Sequence, residues 1–480
     1  MKISQTATMT HQLWSSLGYA DLPDTSLLFT GEGQLTSAFP VSQLAGASIA
    51  TVGLAVAALI KAKHGLNPQV TVDQRLASLW FAWSLKPINW QLPSAWDAIA
   101  GDYQASDGWI RLHTNAPHHR SVVERLLGPH KHKAAVADAV SRWKVSELEH
   151  AVITSGGCAA QMHSHQHWQQ HMQGKSVARE SIFAAFDHPQ VTAPTWEIPL
   201  TQPLAGMRVL DLTRVLAGPI ATRFLAGLGA DVLRIDPFSW DEPAIEPEVT
   251  LGKRCARLNL TNHHDRLIFE ALLRQADIII HGYRAGALEG LGYGAQQRRQ
   301  LSPGLVDICL NAYGWSGPWR SRRGFDSLVQ MSCGIAEAGM RWQNTPHPFP
   351  LPVQALDHAT GYLMAAAAIQ GLIQRLIQNT GYSARLSLAR TANILIDTPY
   401  KPDNINLKTS SATTEDYQLQ PEMTYWGPAL RLRAPLSLST TQWSWGLAAS
   451  PLGNATAQWL QSTAPNWSAT YCARENLSSP

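Results

Sequence analysis

The stretch GMRVLDLTRVLAGPIATRFLAGLGADVLRID, residues 206–236, decides the fold class of this chain. Val209–Leu212 and Asp231–Ile235 are short aliphatic runs, which are typical of strands. Between them, residues 220–228 carry apolar side chains at helical spacing, and Gly218-Pro219 forms a turn that can start a helix because the first turn tolerates proline. The stretch therefore predicts a strand, a helix and a second strand in series.

The same alternation continues downstream, where Ile278–His281 and Leu305–Leu310 are further strand candidates separated by helical patterns. Such a series builds a parallel sheet, and its ligands gather at the carboxyl ends of the strands. Upstream, residues 102–113 predict a hairpin with Asp107-Gly108 at its turn. The expected fold class is α/β, with a Rossmann-like parallel sheet domain that has helices on both faces and a smaller α+β domain.

The composition narrows the classes of function. The chain has 480 residues, enough for two or three domains, and with 45% hydrophobic and only 15% charged residues it is not disordered through excess charge. A formal net charge of +3 is too small for a general nucleic-acid-binding protein. No secretory signal pattern opens the chain and no C-x-x-C pair occurs, so we expect a cytoplasmic protein without a disulfide framework or zinc ribbon. The cysteines are Cys158, Cys255, Cys309, Cys333 and Cys472.

Two uncharged runs of small residues, 44–60 and 359–373, raise the question of a membrane. Their many Ala, Gly, Ser and Thr residues favour helices buried in a large core instead. The segments that follow them align without a gap, with Gly65 over Gly381 and Val70 over Leu386, 316 positions apart. We interpret this as an internal duplication of a helix, a turn, a strand and a further helix; the alternative is chance similarity between two alanine-rich helices.

These patterns divide the chain into six parts. They are a leader (1–40), a partial duplicate helix-strand unit (41–95), a small α+β domain (96–175), a linker (176–203), the Rossmann-like domain (204–397) and a tail (398–480) in which residues 431–439 predict a closing strand.

The common nucleotide and hydrolase motifs are missing. The first loop after a strand offers only Gly218, where a dinucleotide fold needs three glycines. The lysine motif of P-loop proteins and the nucleophile elbow are also absent. NAD is therefore an improbable ligand.

Several motifs resemble class III CoA-transferases, a family that includes formyl-CoA and carnitine CoA-transferases and α-methylacyl-CoA racemases. The motifs follow one another in family order: VLDLTRVLAGPIATRFLAGLGADVLRID, GKR (252–254), ADIIIHGYRAGALEGLGYG (276–294), NAYGWSGPWRSRRGFDSLVQMSCG (311–334) and ALDHATGYLMAAAAIQGLI (355–373). Residues 45–77, 103–113 and 155–168 resemble later parts of the same family. The order of segments is thus permuted and partly duplicated.

The resemblance implies that Asp357 is the nucleophile of an acyl-CoA:carboxylate CoA-transferase, an enzyme that transfers a sulfur-containing group. The carboxylate would form a mixed anhydride and then an enzyme-CoA thioester, with acyl-CoA and a small carboxylic acid as partners and no further cofactor. The helix starting near Ala359 would present free N–H groups to the developing oxyanion. The alternative role of Asp357 is a helix N-cap.

Coenzyme A carries phosphates that need a few placed cations and helix N-termini. By resemblance, the CoA-binding residues are Arg214, Gly218, Lys253, Arg254 and Arg284. The alternative for each basic residue is a solvated side chain without a ligand.

Two further activities remain as alternatives. The racemases of the family use a G-H-D string where this chain has Gly324-Phe325-Asp326, and phenylalanine cannot exchange a proton, so transfer is preferred over racemisation. Asp326 itself is expected to cap the following helix. The second alternative is a CoA-binding paralogue without turnover.

The sequence gives little indication of a metal, a nucleic acid or a membrane as a further partner. Histidines 163, 165, 167 and 171 invite a metal site, but no carboxylate or cysteine accompanies them closely, so we expect no metal. Nucleic acid and membrane are not expected. Members of the family form interlocked dimers, which leaves open whether this chain forms a homodimer or supplies both partial copies itself.

Overall fold

The computed structural model describes residues 4–20, 22, 27–186, 188–191, 196–401 and 411–460. Within them the strands are β1 Leu27–Thr30, β2 Val70–Asp73, β3 Leu85–Pro87, β4 Gly101–Gln104, β5 Trp109–Leu112, β6 Ala159–Gln161, β7 Ala184–Phe186, β8 Arg208–Leu212, β9 Asp231–Asp236, β10 Lys253–Arg257, β11 Ile278–His281, β12 Val306–Asn311, β13 Tyr382–Ser387, β14 Glu422–Thr424, β15 Gly427–Arg431 and β16 Leu436–Leu438.

The α-helices in the same residues are α1 Gln5–Ser16, α2 Val41–His64, α3 Gln74–Trp80, α4 Pro117–Leu127, α5 Lys133–Val140, α6 Val145–Thr154, α7 His165–Gln170, α8 Met172–Ala178, α9 Ala217–Ala226, α10 Glu246–Val249, α11 His263–Arg274, α12 Ala287–Gly290, α13 Ala295–Leu301, α14 Asp326–Ser332, α15 Ile335–Gln343, α16 Ala355–Gln378 and α17 Leu388–Asp397. Thr414–Asp416 form a short 3₁₀ helix.

A seven-stranded sheet organises the molecule, in the order β10-β9-β8-β11-β12-β13-β7. The six strands from β8 to β13 are parallel, and their order is 3-2-1-4-5-6 in chain sequence, which is that of the Rossmann fold. The predicted α/β fold class is confirmed. β7, which lies in the predicted linker, adds an antiparallel edge strand to β13.

Alternation along the strands gives the sheet two apolar faces, because successive side chains point to opposite sides. Val209 and Val232 belong to the core that contains Phe224 of α9 and Leu363 of α16. Leu210, Leu233 and Ile279 belong to a second core with Phe269 and Leu273 of α11. Helices therefore cover both faces, as the sequence predicts.

The two units compared in the sequence analysis have similar local structure, in a register that differs from the predicted one. α2 and α16 are both 24 residues long and pack against each other. Their N-caps, Pro40 and Gln354, share one unusual backbone conformation (φ −76°, ψ 60° and φ −77°, ψ 65°). Their C-caps, Gly65 and Asn379, are both left-handed.

These cap positions lie 314 positions apart, as do Asp73 and Ser387, which cap the next helices. The predicted offset of 316, based on Gly65 over Gly381, is therefore wrong. Asparagine tolerates the left-handed conformation that usually selects glycine, so the turn of the second copy needs no glycine at the equivalent position.

The strands of the two units pair with their neighbours in the same pattern, one neighbour parallel and one antiparallel. β2 pairs with parallel β1 and antiparallel β16, and β13 pairs with parallel β12 and antiparallel β7. The first unit is thus a three-stranded counterpart of one edge of the large sheet.

Two boundary regions differ from the sequence analysis. The leader contains α1, whose Met9, Leu13 and Trp14 are buried against α2, although its sequence shows no clear periodicity. The single strand predicted over residues 431–439 is two strands, β15 and β16, in different sheets. Pro435, which lacks an N–H for strand pairing, lies between them. Cys472 lies outside the described residues.

The first apolar run is buried. Among the described helices, Val41–His64 is the one long and apolar enough to cross a membrane by length and composition, but 89% of its most apolar window is enclosed by the fold. The predicted hairpin of the small domain is present as β4 and β5, closed by a bond from Ala105 N to Gly108 O of 2.8 Å.

Candidate active site

A cavity of about 330 Å³ opens at the carboxyl ends of β8, β11 and β12. This is the edge where the sequence predicts that ligands gather. Its walls come from the loop after each of these strands, from α9 and α16, and from the small domain. The lining residues used below are Arg214, Gly218, Trp240, Tyr283, Arg284, Arg322, Arg323, Phe325, Asp357, His118 and His119.

One chain supplies both sides of this cavity. The Arg322 guanidinium lies 2.7 Å from the Glu149 carboxylate of the small domain and also donates to Ala159 O at 2.9 Å. The ring of His113, at the end of β5, stacks on Phe325 with centroids 3.8 Å apart. The small domain therefore docks on the Rossmann-like domain of the same chain.

Asp357 lies in the first turn of α16 and is 6% exposed. The helix begins at Ala355, earlier than the predicted start near Ala359, and its N-cap is Gln354. Asp357 is thus not the N-cap that the alternative interpretation required. A loop separates α16 from the preceding helix, α15.

The first N–H groups of α16 are already bonded. Ala355 N donates to Val353 O, and the N–H groups of Leu356 and Asp357 both donate to Oδ2 of Asp326, at 2.9 and 3.0 Å. The expectation that they are free for an oxyanion is therefore wrong. Asp326 caps α16, which starts 29 residues further on, and not the helix that follows Asp326 itself.

Asp326 and Asp357 form a buried pair of carboxyl groups. Asp326 is fully buried and also accepts a hydrogen bond from Gln330, whose Oε1 accepts from Leu351 N at 2.8 Å. Burial raises the pKa of Asp326 to about 6. Burial, followed by the charge of Asp326, raises the pKa of Asp357 well above its usual value. A carboxylate that is costly to ionise is a strong nucleophile once its proton has left.

The D-x-x-x-G spacing of the motif has a geometric reason. Asp357 and Gly361 lie one turn apart on the same face of α16. A Cβ at Gly361 would lie 2.5 Å from the carbonyl oxygen of Ala217, at the start of α9. The glycine therefore lets the positive N-terminal end of α9 approach the helix that carries Asp357.

Arg214, Arg284 and Gly218 line the cavity, and their binding of CoA stays a prediction. The Arg214 guanidinium lies over the rings of Trp240 and Tyr283, 4.7 and 5.4 Å from their centroids. These contacts hold a cation at the cavity wall. Arg284 is exposed at the rim.

Lys253 and Arg254 lie elsewhere, which corrects their predicted role as ligands of CoA in this cavity. The Lys253 ammonium is buried 3.0 Å from Asp211 and 2.8 Å from Pro219 O, and burial lowers the pKa of Lys253 to about 8. Arg254 lies on the edge strand β10, paired with Asp231 at 2.7 Å. Lys253 instead forms an ion pair with Asp211. Asp211 also accepts hydrogen bonds from Thr213 and Thr222 beside the cavity.

Some lining residues were not predicted. Arg322 and Arg323 lie inside the motif of residues 311–334, so their place in that motif could have identified them as site residues. Trp240 lies between two of the quoted motifs, and the nearby Glu242 accepts a hydrogen bond from Val215 N at 3.0 Å. His118 and His119 carry no local signal, because only the docking of the small domain brings them to the cavity.

The histidines at 163, 167 and 171 stack as parallel rings, with centroids 4.2 to 6.2 Å apart. Over the part of the chain that the structure describes, no group of three His, Cys, Asp or Glu side chains could hold a metal ion. The Trp319 ring continues the stack, 4.5 Å from His171. The cluster is packing between the small domain and the motif loop.

Comparison with known proteins agrees with the geometry. Residues 204–425 match the family model of CoA-transferase family III. The matched residues include the five motifs quoted above.

Individual relatives match over shorter segments. Acetyl-coenzyme A transferase nodX of Hypoxylon pulicicidum is 31% identical over 207 residues, covering 42% of this chain and 34% of the relative. Succinyl-CoA:glutarate CoA-transferase of Mus musculus is 30% identical over 187 residues, covering 36% and 42%. The crystal structure of Rv3272 from Mycobacterium tuberculosis is 30% identical, covers 40% of this chain and 57% of its own, and has a TM-score of 0.36. The chain spans less than half the length of the two curated relatives.

Proposed function

We propose that this protein transfers CoA from an acyl-CoA to a small carboxylic acid, with Asp357 as the covalent nucleophile. The observation that supports this proposal is the position of Asp357, a buried carboxyl in the wall of a cavity that arginines also line. The two curated relatives are named for acetyl-CoA transfer and for transfer between succinyl-CoA and glutarate. We extend this class of reaction, without its particular acids, to the present chain.

Each step exchanges one bond for another. An Asp357 oxygen attacks the thioester carbonyl, the carbon–sulfur bond breaks, and CoA leaves as the thiolate. The thiolate then attacks the aspartyl carbon of the mixed anhydride, which releases the first acid as a carboxylate and leaves CoA on Asp357. The acceptor carboxylate repeats these two steps in reverse and departs as the new acyl-CoA, so no net proton or cofactor is consumed.

The arginines suit the other end of the substrate. Arg214, Arg284 and Arg323 line the cavity and place positive charge where the CoA phosphates would lie. Arg323 is oriented by its own hydrogen bond to Gly156 O at 3.0 Å. A racemase-type activity is disfavoured, because Phe325 occupies the position of the histidine and stacks on His113.

Mass spectrometry of the intact protein tests the proposal. After incubation with acetyl-, succinyl- and longer acyl-CoAs, the wild-type protein should gain the mass of CoA, and peptide mapping should place that mass on Asp357. Asp357→Ala should gain none. Gln43→Ala, at the equivalent position of the duplicated helix, is the matched control and should be modified like the wild type.

Other results separate the alternatives. A CoA adduct on another residue, or equal turnover by Asp357→Ala, contradicts the assignment of the nucleophile. If CoA binds but the wild-type protein forms no adduct and no product, the protein is a binding paralogue. Exchange of the α-hydrogen with solvent deuterium, without transfer, identifies a racemase.

A further inference from the structure

A second, larger cavity of about 670 Å³ lies beside the candidate active site. Its floor is one row of side chains across the sheet, because His281 of β11 is in register with Cys309 of β12, and Cys309 with Arg385 of β13. Helices α12 and α13 and the edge strand β7 complete the walls. The two cavities share only Tyr283 and Arg284 among their lining residues.

The charge of this second cavity is unbalanced. Four arginines line it, against the carboxylates of Glu289 and Asp307. Arg298 is neutralised by Asp307, at 2.6 Å. Within the described ranges, Arg284, Arg299 and Arg385 have no carboxylate within 4.0 Å. The cavity therefore retains positive charge that an anionic ligand would neutralise.

Arg385 is held in place without an ion pair. Its guanidinium lies between two rings, 4.8 Å from the centroid of Phe186 and 5.0 Å from that of Trp315. Trp315 is itself fixed, because its indole N–H donates to Leu386 O at 2.8 Å. Stacking uses the faces of the guanidinium, and its edge carries the N–H groups, of which one contacts Cys309 and the others can donate to a ligand.

His281 adds a buried ring nitrogen without a protein partner. The residue is 6% exposed and lines the cavity, and its Nδ1 is buried with no hydrogen-bond partner. Its Nε2 lies 3.2 Å from Nη2 of Arg298 and 3.4 Å from Oδ1 of Asp307. Burial lowers the pKa of His281, which keeps the ring neutral. In the neutral ring, Nδ1 is a polar atom that only a ligand can pair.

We infer that this cavity is a second ligand site, separate from the reaction, which binds a small molecule bearing a phosphate group. The planar forks of Arg385 and Arg299 match phosphate oxygens. Nδ1 of His281 is a further polar atom in the wall that has no protein partner. The volume lies within the range of small-molecule sites in proteins. Because Arg284 lines both cavities, an occupant here changes the affinity of the neighbouring cavity for CoA.

Calorimetric titration of the full chain with inorganic pyrophosphate, at constant ionic strength, tests this inference. We expect saturable binding that weakens at least tenfold in Arg385→Gln and in Arg299→Gln. Arg299 lies on a partly exposed helix, so its variant stays informative if the Arg385 variant fails to fold. Arg142→Gln, an exposed arginine of the small domain, controls for the loss of one charge and should bind like the wild type.

A fourth variant locates the ligand. Arg323 lines only the reaction cavity, so Arg323→Gln should keep pyrophosphate binding. Loss of binding in Arg323→Gln, unchanged binding in both Arg385→Gln and Arg299→Gln, or no binding by the wild-type protein at millimolar pyrophosphate each overturns the inference. Citrate binding more tightly than pyrophosphate would replace phosphate with a polycarboxylate as the ligand class.

Discussion

The two copies of the helix-strand unit share a backbone and differ in chemistry. Val41 N bonds to Phe39 O and Ala355 N to Val353 O, both at 2.8 Å, so even the bonds that open α2 and α16 correspond. In the structural register, the residue of α2 that matches Asp357 is Gln43. An amide cannot attack a thioester as a carboxylate can.

The surroundings of the two helix ends differ as much as the residues. The start of α16 is capped by Asp326 from α14 and approached by α9, and both contacts border the cavity. Ser42, in the first turn of α2, instead accepts hydrogen bonds from Leu35 N and from Ser78, at 2.9 and 2.8 Å, within the first unit. A duplicated backbone thus carries a site only where other segments of the chain converge on it.

Among the substitutions that distinguish the two copies, replacement of the nucleophile should have the largest effect on activity. Asp357→Ala should lower CoA transfer by a factor on the order of 10³ or more, because no other group can form the anhydride. Gln43→Asp should create no activity in the Asp357→Ala background, since the arginine-lined cavity described above borders the second copy. Product formation from acyl-CoA measures both. Turnover restored by Gln43→Asp would contradict the role assigned to the surroundings.

The close approach of α9 should distinguish the copies in stability. Gly361→Ala places a methyl group 2.5 Å from a backbone oxygen and should cost about 1–3 kcal/mol, with loss of activity as α9 shifts. The matching position of α2 is already Ala47, and Ala47→Gly should cost only about 0.5–1 kcal/mol through helix propensity. Urea unfolding measures both changes. Equal costs at the two positions would show that the packing of α9 is not special.

The buried carboxyl pair should lower the free energy of unfolding at neutral pH. Because the pKa of Asp357 is raised in the folded state, its ionisation lowers stability as pH rises above the unfolded value near 3.8. Asp357→Asn should therefore raise the free energy of unfolding by about 1–3 kcal/mol at pH 8 and by little at pH 4. Thermal unfolding at the two pH values checks this. A gain that does not depend on pH would assign the effect to packing.

The charge of Asp326 should shift the pH dependence of transfer. Asp326→Asn keeps an oxygen that can accept from the two N–H groups but removes the charge that raises the pKa of Asp357. The acid limb of kcat/KM should move to lower pH. A pH profile of the purified variant gives the shift, and Asp326→Ala, which also removes the acceptor, should lose stability as well. An unmoved limb in Asp326→Asn would show that burial alone sets the pKa.

Much of the sheet was predictable because it follows from local pattern. Ile278–His281 is a strand with the predicted bounds, and the other predicted strands of the Rossmann-like domain differ by one residue at their ends. The similarity of the two units was visible as well, but Gly381 was the wrong guide to the turn of the second unit. Asn379 adopts the left-handed conformation of Gly65 at that turn. With the offset of 316, Asp357 would face Val41, and the informative contrast with Gln43 would be lost.

The sequence by itself determined the alternation of strands and helices, because hydrophobic periodicity is a property of neighbouring residues. Its resemblance to a family singled out Asp357. The tertiary structure decided which cations reach the cavity, since Lys253 is drawn into the core by Asp211 while Arg323 and His118 are brought to the rim. It also decided that Asp326 holds the first N–H groups of α16. Those outcomes depend on burial and on contacts between distant segments, which no local pattern encodes.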